Sequence, residues 1–464
     1  MLSIRGTPVD FGLSLVVVAL AASPHSSTLA TFASSSSATY NLQRMHKEKS
    51  PQETFEELAN VCERLGLKNH NWDVYGDFDK DSSQTSFLRK FESEVAQELG
   101  TQDAVFMPSG GMAQSIALLI HATTIETSSG SRTNSSSSCG HHCFACHHTS
   151  HLLLHEQAAY YHLLGMNAII VDTLHQAEGI SIPPLTFAIV QQVLDDEYKK
   201  WSIQPSTLLL ELPHREIGGK TTPWNDILQI RKYCTDNNIK LHLDGARLFE
   251  ATTGYPDQSL QELVQIFDSV YISFYKGLGG MTGAMLLGSE DFCGQARIWL
   301  RRFGGNLYTL LPYAVSGWAG YQRQWKLNSV QEKEEKEVNG PLLLSFVQKK
   351  EKLVRLVQLL CKDEDISRVL EFDPTEPETN MIHGYLFASV EQCSKMLNKV
   401  EKEHDIRVLF RLRPVPEDTP AYELGYRAYF EWAIGEDNGA IPEEVFVRGW
   451  THFAKELLGT SSSS

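Results

Sequence analysis

The fold is decided by two neighbouring stretches, LHLDGAR at residues 241–247 and SVYISFYKGLGG at residues 269–280. Each begins as an apolar run typical of a buried strand, and the runs end abruptly at charged residues, Asp244 in the first stretch and Lys276 in the second. Charges in these positions stand at the carboxyl edge of a sheet, where open α/β sheets bind ligands. The two stretches therefore predict an acid and a lysine on neighbouring strands of a ligand site.

Strands and helices alternate on the amino-terminal side of these stretches. Apolar runs typical of strands and amphipathic segments typical of helices follow one another between residues 85 and 243. Such alternation favours a mainly parallel sheet with right-handed crossovers. The predicted fold class is therefore α/β, with a large domain over residues 50–325.

A smaller domain is predicted for residues 326–464. Residues 324–336 are highly charged, and residues 342–360 carry apolar side chains at helical spacing with basic residues between them. A predicted strand at 381–387 and a final helix at 443–458 complete an α+β unit.

The composition limits the classes of function. The chain has 464 residues, 42% of them hydrophobic and 21% charged, which is ordinary for a globular protein with one large and one smaller domain. Its formal net charge of −16 argues against nucleic acid as a partner, because phosphates require a basic face. Eight cysteines in a chain of this length do not indicate a disulfide scaffold. A site for a small molecule is the class of function that the composition leaves open.

Residues 1–45 are predicted to be a targeting or disordered presequence. The apolar run at 11–22 is too short for a stable membrane span, but it suits the central part of a signal or transit peptide, with small residues at 21–23 as a cleavage point. This pattern favours secretory or organellar targeting. The alternative is a wrongly extended start, with a cytoplasmic protein that begins near Pro51.

A glycine-rich turn, PSGGM at residues 108–112, lies between a predicted strand and a predicted helix. The first N–H groups of such a helix have no partner within the helix, and its dipole favours an anion. Ser109, Gly110 and Gly111 are therefore candidates to hold a phosphate. The alternative is that the glycines serve only the geometry of the turn.

A Ser/Thr/Gly-rich insertion at residues 123–140 is typical of a disordered surface loop, and it leads into the segment CGHHCFACHH at 139–148. Cys143, Cys146 and His147 have the spacing of c-type haem attachment, and the segment also has residues that bind zinc. Nothing else in the chain resembles a small cytochrome, and no distant second pair of ligands completes a zinc site. No metal is predicted, and the purpose of the segment stays open.

Two histidines follow predicted strands. His151 begins a helix, where a histidine is more often a cap than a catalyst, and His214 comes shortly after the strand at 207–210. The sequence GKT at 219–221 resembles the end of a nucleotide P-loop, but that motif requires glycine at position 214. The spacing excludes a P-loop.

Together these features point to pyridoxal 5′-phosphate (PLP). Asp244 is suited to the pyridine nitrogen, Lys276 to the aldehyde, and residues 109–111 to the phosphate. A carboxylate keeps the ring nitrogen protonated, so that the ring withdraws electrons from the α-carbon of an amino acid. A lysine binds the aldehyde until a substrate amine displaces it. The alternative is an incidental helix cap and a surface lysine.

Seven short motifs resemble the L-threonine aldolase and β-eliminating lyase family of fold-type I PLP-dependent enzymes, in the family's order across roughly residues 55 to 455. They are DVYGD (73–77), PSGG (108–111), His151 with Glu156, Glu211 with His214, DGAR (244–247), KGLG (276–279) and TNM (379–381). The resemblance implies the aspartate aminotransferase fold, in which a dimer interface usually completes the site. A homodimer or homotetramer is therefore expected.

The resemblance also implies an activity, the cleavage of a β-hydroxy-α-amino acid such as L-threonine or L-allo-threonine to glycine and an aldehyde. Lys276 and Asp244 are then expected to be catalytic. His151 is expected to stack on the cofactor and, with His214, to hold or deprotonate the β-hydroxyl. Arg247 is expected to bind the substrate carboxylate or the cofactor, because a guanidinium fork suits such an anion.

Further expectations concern two other arginines. Arg301 is expected to reach the cofactor phosphate. The family has a second arginine for the substrate carboxylate near its carboxyl terminus, where this chain has Glu431, with Arg427 a few residues earlier. A glutamate repels a carboxylate, so either Arg427 binds the substrate or the natural substrate is not threonine.

Other departures keep alternatives open. The family usually has Glu-Asn-Thr-His-Asn where this chain reads ELPHR at 211–215, and serine where this chain has Tyr275. One alternative is PLP-dependent β-elimination from a hydroxy amino acid, which yields ammonia and a keto product. The other is a non-catalytic protein that binds metal through the Cys/His-rich segment.

Overall fold

The computed structural model of the protein describes residues 30–31, 38–69, 72–76, 86–128, 142–198, 203–326 and 343–461. Most of the predicted presequence, the later part of the predicted insertion and Cys139 lie outside these residues. The first part of the insertion is not a loop, because α-helix continues to Ser128.

The strands, numbered along the chain, are β1 (Ala30–Thr31), β2 (Tyr40–Asn41), β3 (Asp103–Met107), β4 (Cys143–His147), β5 (Asn167–Val171), β6 (Thr207–Glu211), β7 (Lys240–Gly245), β8 (Ser269–Ser273), β9 (Ala284–Gly288), β10 (Leu370–Asp373), β11 (Met381–Leu386), β12 (Ile406–Arg407), β13 (Arg411–Pro414) and β14 (Ala428–Ala433).

The α-helices are α1 (Pro51–Arg64), α2 (Phe87–Leu99), α3 (Gly110–Ser128), α4 (His151–Leu154), α5 (Ala159–His162), α6 (Phe187–Gln191), α7 (Trp224–Asp236), α8 (Leu248–Ala251), α9 (Leu260–Val264), α10 (Glu290–Arg302), α11 (Leu311–Tyr321), α12 (Phe346–Lys362), α13 (Glu364–Ser367), α14 (Val390–His404), α15 (Pro420–Glu423) and α16 (Glu443–Ser461).

The larger sheet of the described residues has seven strands in the order β3-β9-β8-β7-β6-β4-β5. The pairs from β8 through β7, β6 and β4 to β5 are parallel, whereas β9 runs antiparallel to both β8 and β3. The prediction of a mainly parallel central sheet is confirmed. In this register Glu211 pairs with Asp244, and Asp244 pairs with Tyr271. The carboxyl ends of three neighbouring strands therefore present their side chains together.

Both faces of this sheet are buried, which explains why its strands read as continuous apolar runs. Val270 and Ile272 belong to one apolar cluster, and Tyr271 between them belongs to another. Successive strand residues point to opposite faces, so the two clusters are the two sides of the sheet. Residues 241–247 and 269–280 therefore stand at the centre of the fold.

The smaller sheet is antiparallel, with the order β1-β13-β14-β11-β10. A second apolar core packs against it, in which Trp432 from β14 and Trp450 from α16 are almost fully buried. This unit is α+β, as predicted. The exact division at residues 325 and 326 stays a prediction, because residues 327–342 lie outside the described ranges.

A segment of the predicted presequence is part of this second core. Strand β2 pairs in parallel with β12, Leu42 is 0% exposed, and Trp432 Nε1 donates a hydrogen bond to Leu42 O at 2.9 Å. The predicted end of the presequence at residue 45 is therefore too late. An alternative start near Pro51 would remove part of the fold.

The start of helix α1 follows directly from its sequence. Ser50 Oγ accepts a hydrogen bond from Glu53 N, Glu53 accepts one from Ser50 N, and Pro51 occupies the first helical position. This reciprocal capping box satisfies N–H groups that the first turn leaves without partners. Among the described helices, none is long and apolar enough to cross a membrane.

Candidate active site

Asp244 ends β7 at the centre of the larger sheet and is 1% exposed. Its Oδ1 accepts a hydrogen bond from Ala246 N at 3.1 Å. Burial, and next the neighbouring carboxylate of Glu211, raise the pKa of Asp244 to about 8. A buried acid of this kind is stabilised as a carboxylate when a cationic group lies against it.

Lys276 follows β8 and lines the same pocket as Asp244. Burial first, and then the positive charges of Arg247 and Arg215, lower the pKa of the Lys276 ammonium to about 8. A substantial share of the amine is therefore neutral near physiological pH. Only the neutral amine is a nucleophile.

The glycine turn lies against the same pocket. A Cβ atom on Gly110 would lie 2.2 Å from Tyr271 Oη, and one on Gly111 would lie 2.4 Å from Glu156 Oε2. Position 110 therefore requires glycine, because the Tyr271 ring is buried, whereas a Cβ atom at position 111 would displace the end of the Glu156 side chain or the turn. The two glycines begin α3, a helix of 19 residues whose first N–H groups have no partner within the helix. Ser109 Oγ accepts from Met112 N at 3.4 Å, which orients the turn.

His151 lies at one side of the pocket and is held by two carboxylates. Its backbone N donates to Glu211 Oε2 at 3.2 Å, and its Nε2 lies 3.3 Å from Glu156 Oε1. The contact with His151 is the main cause of a lowered pKa of Glu156. The imidazole is thus fixed by an acid that stays ionised.

His214 lies behind the pocket. It is 3% exposed, and its Nε2 lies 2.9 Å from Thr149 Oγ1 and 3.8 Å from Glu211 Oε2. Glu211 lines both the pocket of Lys276 and the small adjoining cavity of His214. The structure therefore connects His214 to the pocket through a carboxylate.

An ion-pair network closes the other side of the pocket. Glu431, on β14 of the smaller sheet, accepts from Arg215 Nε at 2.6 Å through Oε2 and from Arg247 Nη2 at 3.4 Å through Oε1. Burial opposes ionisation of Glu431, but the two guanidinium groups hold its pKa at about 2. Two positive charges and one negative charge thus stand beside Lys276.

The profile of the beta-eliminating lyase family matches residues 74–405. The chain belongs to this family.

Curated relatives of this family member are threonine aldolases. It is 27% identical over 223 residues to low-specificity L-threonine aldolase 1 of Arabidopsis thaliana, which covers 47% of this chain and 55% of that one. It is 26% identical over 239 residues to low specificity L-threonine aldolase of Escherichia coli K12, or 51% of this chain and 60% of that one. The chain thus spans little more than half the length of these relatives.

Solved structures resemble the family member over most of its length. A putative L-allo-threonine aldolase from Listeria monocytogenes is 28% identical, with a TM-score of 0.70 over 90% of this chain and 96% of that one. The Oryza sativa protein TDC, solved with PLP and tryptamine, is 11% identical with a TM-score of 0.58 over 91% and 83%, and shares the fold alone. The predicted family, fold-type I architecture and PLP cofactor are confirmed, as is the class of PLP-dependent lyase.

The residues of this site have the chemistry and the space that PLP requires. The two glycines leave space that a side chain would fill, Asp244 is a buried acid whose pKa is raised by burial, and Lys276 carries a readily deprotonated amine. Arg247 Nε is buried and has no hydrogen-bond partner among the described residues. These groups match the phosphate, the ring nitrogen, the aldehyde and an anionic oxygen respectively.

Two of the predicted site residues lie elsewhere. Arg427 is exposed, and its Nη1 donates to the carbonyl oxygens of Tyr422 and Tyr426 while its guanidinium covers the Tyr422 ring at 4.2 Å. Arg427 does not line the pocket of Lys276 within this chain, and its binding of substrate stays a prediction. Arg427 precedes β14, and its side chain folds back onto the loop that carries it.

Arg301, at the end of α10, is also outside the pocket of Lys276. Its side chain is exposed, and its guanidinium lies 5.7 Å from the centre of the Tyr75 ring. It does not line the pocket within this chain.

Sequence reasoning missed Arg215. It lies in the segment ELPHR, at a position where the family usually has asparagine, and this departure coincides with the change to Glu431. The two departures compensate each other in charge. The paired change of charge at positions 215 and 431 was the feature of the sequence that could have indicated a role for Arg215.

The Cys/His-rich segment contributes a strand to the fold. Cys143 and Cys146 belong to β4, and burial raises the pKa of the Cys146 thiol to about 12. Within the described ranges, no group of three His, Cys, Asp or Glu side chains is placed to hold a metal ion.

Proposed function

We propose that the protein cleaves a β-hydroxy-α-amino acid of the L-threonine or L-allo-threonine type to glycine and an aldehyde. The observation that carries the proposal is a single pocket lined by Lys276, Asp244, His151 and Arg247. Curated relatives named as threonine aldolases support it. PLP, when bound, supplies an electron sink for the bond that breaks at the α-carbon.

In this proposal Lys276 and Asp244 hold the two reactive ends of the cofactor. Lys276 would hold the aldehyde end through an amine that burial and neighbouring guanidinium groups keep readily deprotonated. Asp244 would hold the ring nitrogen in its protonated form, and a cation there would stabilise the buried carboxylate. Gly110 and Gly111 admit the phosphate to the start of α3, with Ser109 orienting the turn.

Arg247 and Arg215 bind the substrate carboxylate in this proposal. Glu431 does not exclude that carboxylate, because the connected ion-pair network has three arginines and two carboxylates and so carries one net positive charge. Its members are Arg215, Arg247, Arg413, Glu216 and Glu431. A substrate carboxylate completes the neutralisation of the group. Glu431 also holds the guanidinium groups of Arg215 and Arg247 in place, which preserves the geometry of the site before substrate binds.

The two histidines have separate roles in this proposal. His151, which lines the pocket, stacks on the cofactor ring, held by Glu156 and by the contact of its backbone with Glu211. His214, which lines the small cavity beside Glu211, would accept the proton of the β-hydroxyl at its unprotonated ring nitrogen. Proton removal from the hydroxyl accompanies the separation of the aldehyde.

Product analysis tests the proposed function. The purified enzyme with PLP is incubated with L-threonine, L-allo-threonine and phenylserine. Equal amounts of glycine and aldehyde support the proposal. Ammonia with a keto acid indicates β-elimination instead, and no turnover of any of the three contradicts both reactions.

A lysine pair provides the control for this experiment. Lys276→Ala is expected to abolish turnover and the visible absorbance of bound PLP. Lys232→Ala removes a lysine whose side chain is 76% exposed on α7, and it is expected to change neither. If Lys276→Ala retains turnover, the assigned role of Lys276 is wrong.

We also propose the domain division at residues 325 and 326, and a homodimer or homotetramer as the assembly. Light scattering of the enzyme with PLP gives the mass of the assembly directly. A monomeric mass at working concentrations contradicts the proposed assembly.

A further inference from the structure

Three polar side chains form a continuous line behind the pocket. His147 Nδ1 lies 2.9 Å from Thr149 Oγ1, and Thr149 Oγ1 lies 2.9 Å from His214 Nε2. His147 is 2% exposed and His214 3% exposed, and Thr149 between them is half-buried. The proposed function gives His147 and Thr149 no role.

The tautomer of His147 follows from its neighbours. Thr149 N donates to His147 Nδ1 at 3.1 Å, and a backbone N–H cannot accept, so Nδ1 carries a lone pair. The proton of the neutral ring is therefore on Nε2. That atom lies 3.2 Å from Pro183 O, which only accepts. Burial lowers the pKa of His147 well below its usual value, so the ring is neutral.

Thr173 agrees with this assignment. Its Oγ1 lies 3.1 Å from Pro183 O and 2.9 Å from His147 Nε2. The hydroxyl donates its single proton to the carbonyl and accepts from His147 Nε2. One tautomer of His147 then agrees with all four contacts, with its Nε2–H shared between Pro183 O and Thr173 Oγ1 and its Nδ1 lone pair shared between Thr149 N and Thr149 Oγ1.

The hydroxyl of Thr149 is fixed in turn. His147 Nδ1 accepts, so the Thr149 hydroxyl donates its proton to it. Thr149 Oγ1 then has only lone pairs for its other neighbour, and His214 Nε2 must donate to it. In neutral His214 the lone pair that takes up a proton is therefore on Nδ1.

We propose that His147 and Thr149 are positioning residues that set the tautomer of His214, with the proton on Nε2 and the basic lone pair on Nδ1. This inference rests on the proposed function, in which His214 accepts the proton of the β-hydroxyl. A general base works only when its lone pair is on the nitrogen that receives the proton.

Other titratable groups surround His214. Glu211 Oε2 lies 3.8 Å from its Nε2, the His147 ring packs edge-on at 4.5 Å, and His148 and Lys220 lie close enough to help burial lower the pKa of His147. The Lys220 ammonium lies 2.8 Å from Asp373 Oδ2, which balances its charge. The threonine hydroxyl is the neutral contact through which His147 acts on His214.

The two positioning residues are expected to act as a unit. Without His147, the Thr149 hydroxyl is free to turn and donate to His214 Nε2, which places the His214 proton on Nδ1. Without the Thr149 hydroxyl, His214 Nε2 loses the hydrogen-bond acceptor that Thr149 Oγ1 supplies. Either substitution removes the same constraint on the His214 proton, so the two decreases in kcat are not additive.

The test combines kinetics with a direct observation of the proton. Thr149→Val, Thr149→Ser, His147→Phe and the double variant Thr149→Val with His147→Phe are compared as PLP-loaded enzymes. Thr149→Val is expected to lower kcat roughly 10- to 100-fold with little change in KM, because a general base supplies effects of this size or larger. Thr149→Ser restores kcat, and the double variant is no slower than either single change.

Long-range proton–nitrogen NMR of the enzyme with labelled histidine reports the tautomer independently of turnover. The His214 signals are assigned from their loss in His214→Gln. The native enzyme is expected to show the proton on Nε2 of His214, and Thr149→Val and His147→Phe to change that pattern. Thr235→Val makes the same chemical change on α7, where the hydroxyl contacts only Arg231 O within its helix, and leaves kcat and spectrum unchanged.

Two results overturn the inference. One is a native His214 with its proton on Nδ1, and the other is a Thr149→Val enzyme that keeps both kcat and the native spectrum. If the native enzyme cleaves no β-hydroxy amino acid, the proposed function fails. The tautomer is then decided by the spectra of native enzyme and variants alone.

Discussion

Arg215 Nε lies 2.6 Å from Glu431 Oε2, although 216 residues separate the two in sequence. The contact joins the turn after β6 in the larger sheet to β14 in the smaller one. Because Glu431 also accepts from Arg247, one carboxylate organises two guanidinium groups at the pocket. Breaking this network leaves buried charges without partners, which is costly.

Glu431 gives the stability of the protein a defined pH dependence. Its pKa in the folded state, about 2, lies below the ordinary value for glutamate, so its stabilising effect is complete above that ordinary value. It is lost as the pH falls from about 4.5 towards 2. We expect Glu431→Gln to flatten this part of the curve when the free energy of unfolding is measured against pH. If the variant and the native protein show the same dependence of the free energy of unfolding on pH in this range, the stabilising role assigned to Glu431 is wrong.

Lys276 provides a second pH-dependent observable. Its pKa of about 8 means that the rate at which the cofactor-free enzyme binds PLP covalently rises as the pH passes through 8. Burial is the main cause, and the positive charge of Arg247 is next. Arg247→Gln is therefore expected to move the midpoint to higher pH. Stopped-flow absorbance measures both rates, and a native midpoint near that of a free lysine refutes the prediction.

The glycine turn offers a matched pair of substitutions. Gly111→Ala places a Cβ atom 2.4 Å from Glu156 Oε2, so the turn or the Glu156 side chain must move. We expect PLP to bind at least about tenfold more weakly, since one misplaced anion contact costs about 1.4 kcal/mol or more. Titration with PLP measures the loss.

Gly294→Ala is the control for that pair. Gly294 lies within α10, and a Cβ atom there meets nothing within 4 Å. Alanine in a helix interior is expected to stabilise the protein by about 0.5–1 kcal/mol and to leave PLP binding unchanged. Equal loss of PLP binding in both variants would show that glycine at 111 has no special role.

The amino-terminal segment yields a stability prediction. Removal of residues 1–29 keeps β1, β2 and Leu42, so it is expected to preserve the unfolding temperature. Removal of residues 1–49 exposes the core around Trp432. Leu42→Ala alone is expected to lower the free energy of unfolding by about 2–5 kcal/mol, the cost of emptying a buried leucine site. Denaturant unfolding compares the three proteins, and a native-like 1–49 deletion contradicts the observed packing.

The central sheet and its two charged strand ends were predictable from sequence because the information is local. A buried parallel strand reads as an apolar run, and the residue that ends the run stands at the sheet edge. The positions of Asp244 and Lys276 at the sheet edge were therefore predicted from the sequence pattern alone. The phosphate turn followed from a strand, a glycine pair and a helix in sequence order.

The sequence could not show contacts that form only after the chain has folded. Arg427 and Glu431 are four positions apart, and only the geometry of β14 and of its preceding loop decides which one faces Arg247. Composition cannot show that β2 pairs with β12, because neither strand of two residues has a pattern of its own. The charge exchange between positions 215 and 431 likewise depends on how two sheets meet.

The pairing of β2 with β12 also constrains when the pocket can be completed during synthesis. His46 Nε2 lies 2.9 Å from Lys276 O, and the segment that carries His46 is held by partners around residues 405 to 438. On the ribosome, residues 39–46 must wait until those partners emerge. The enzyme is therefore expected to gain its pocket only after its carboxyl-terminal quarter has been made.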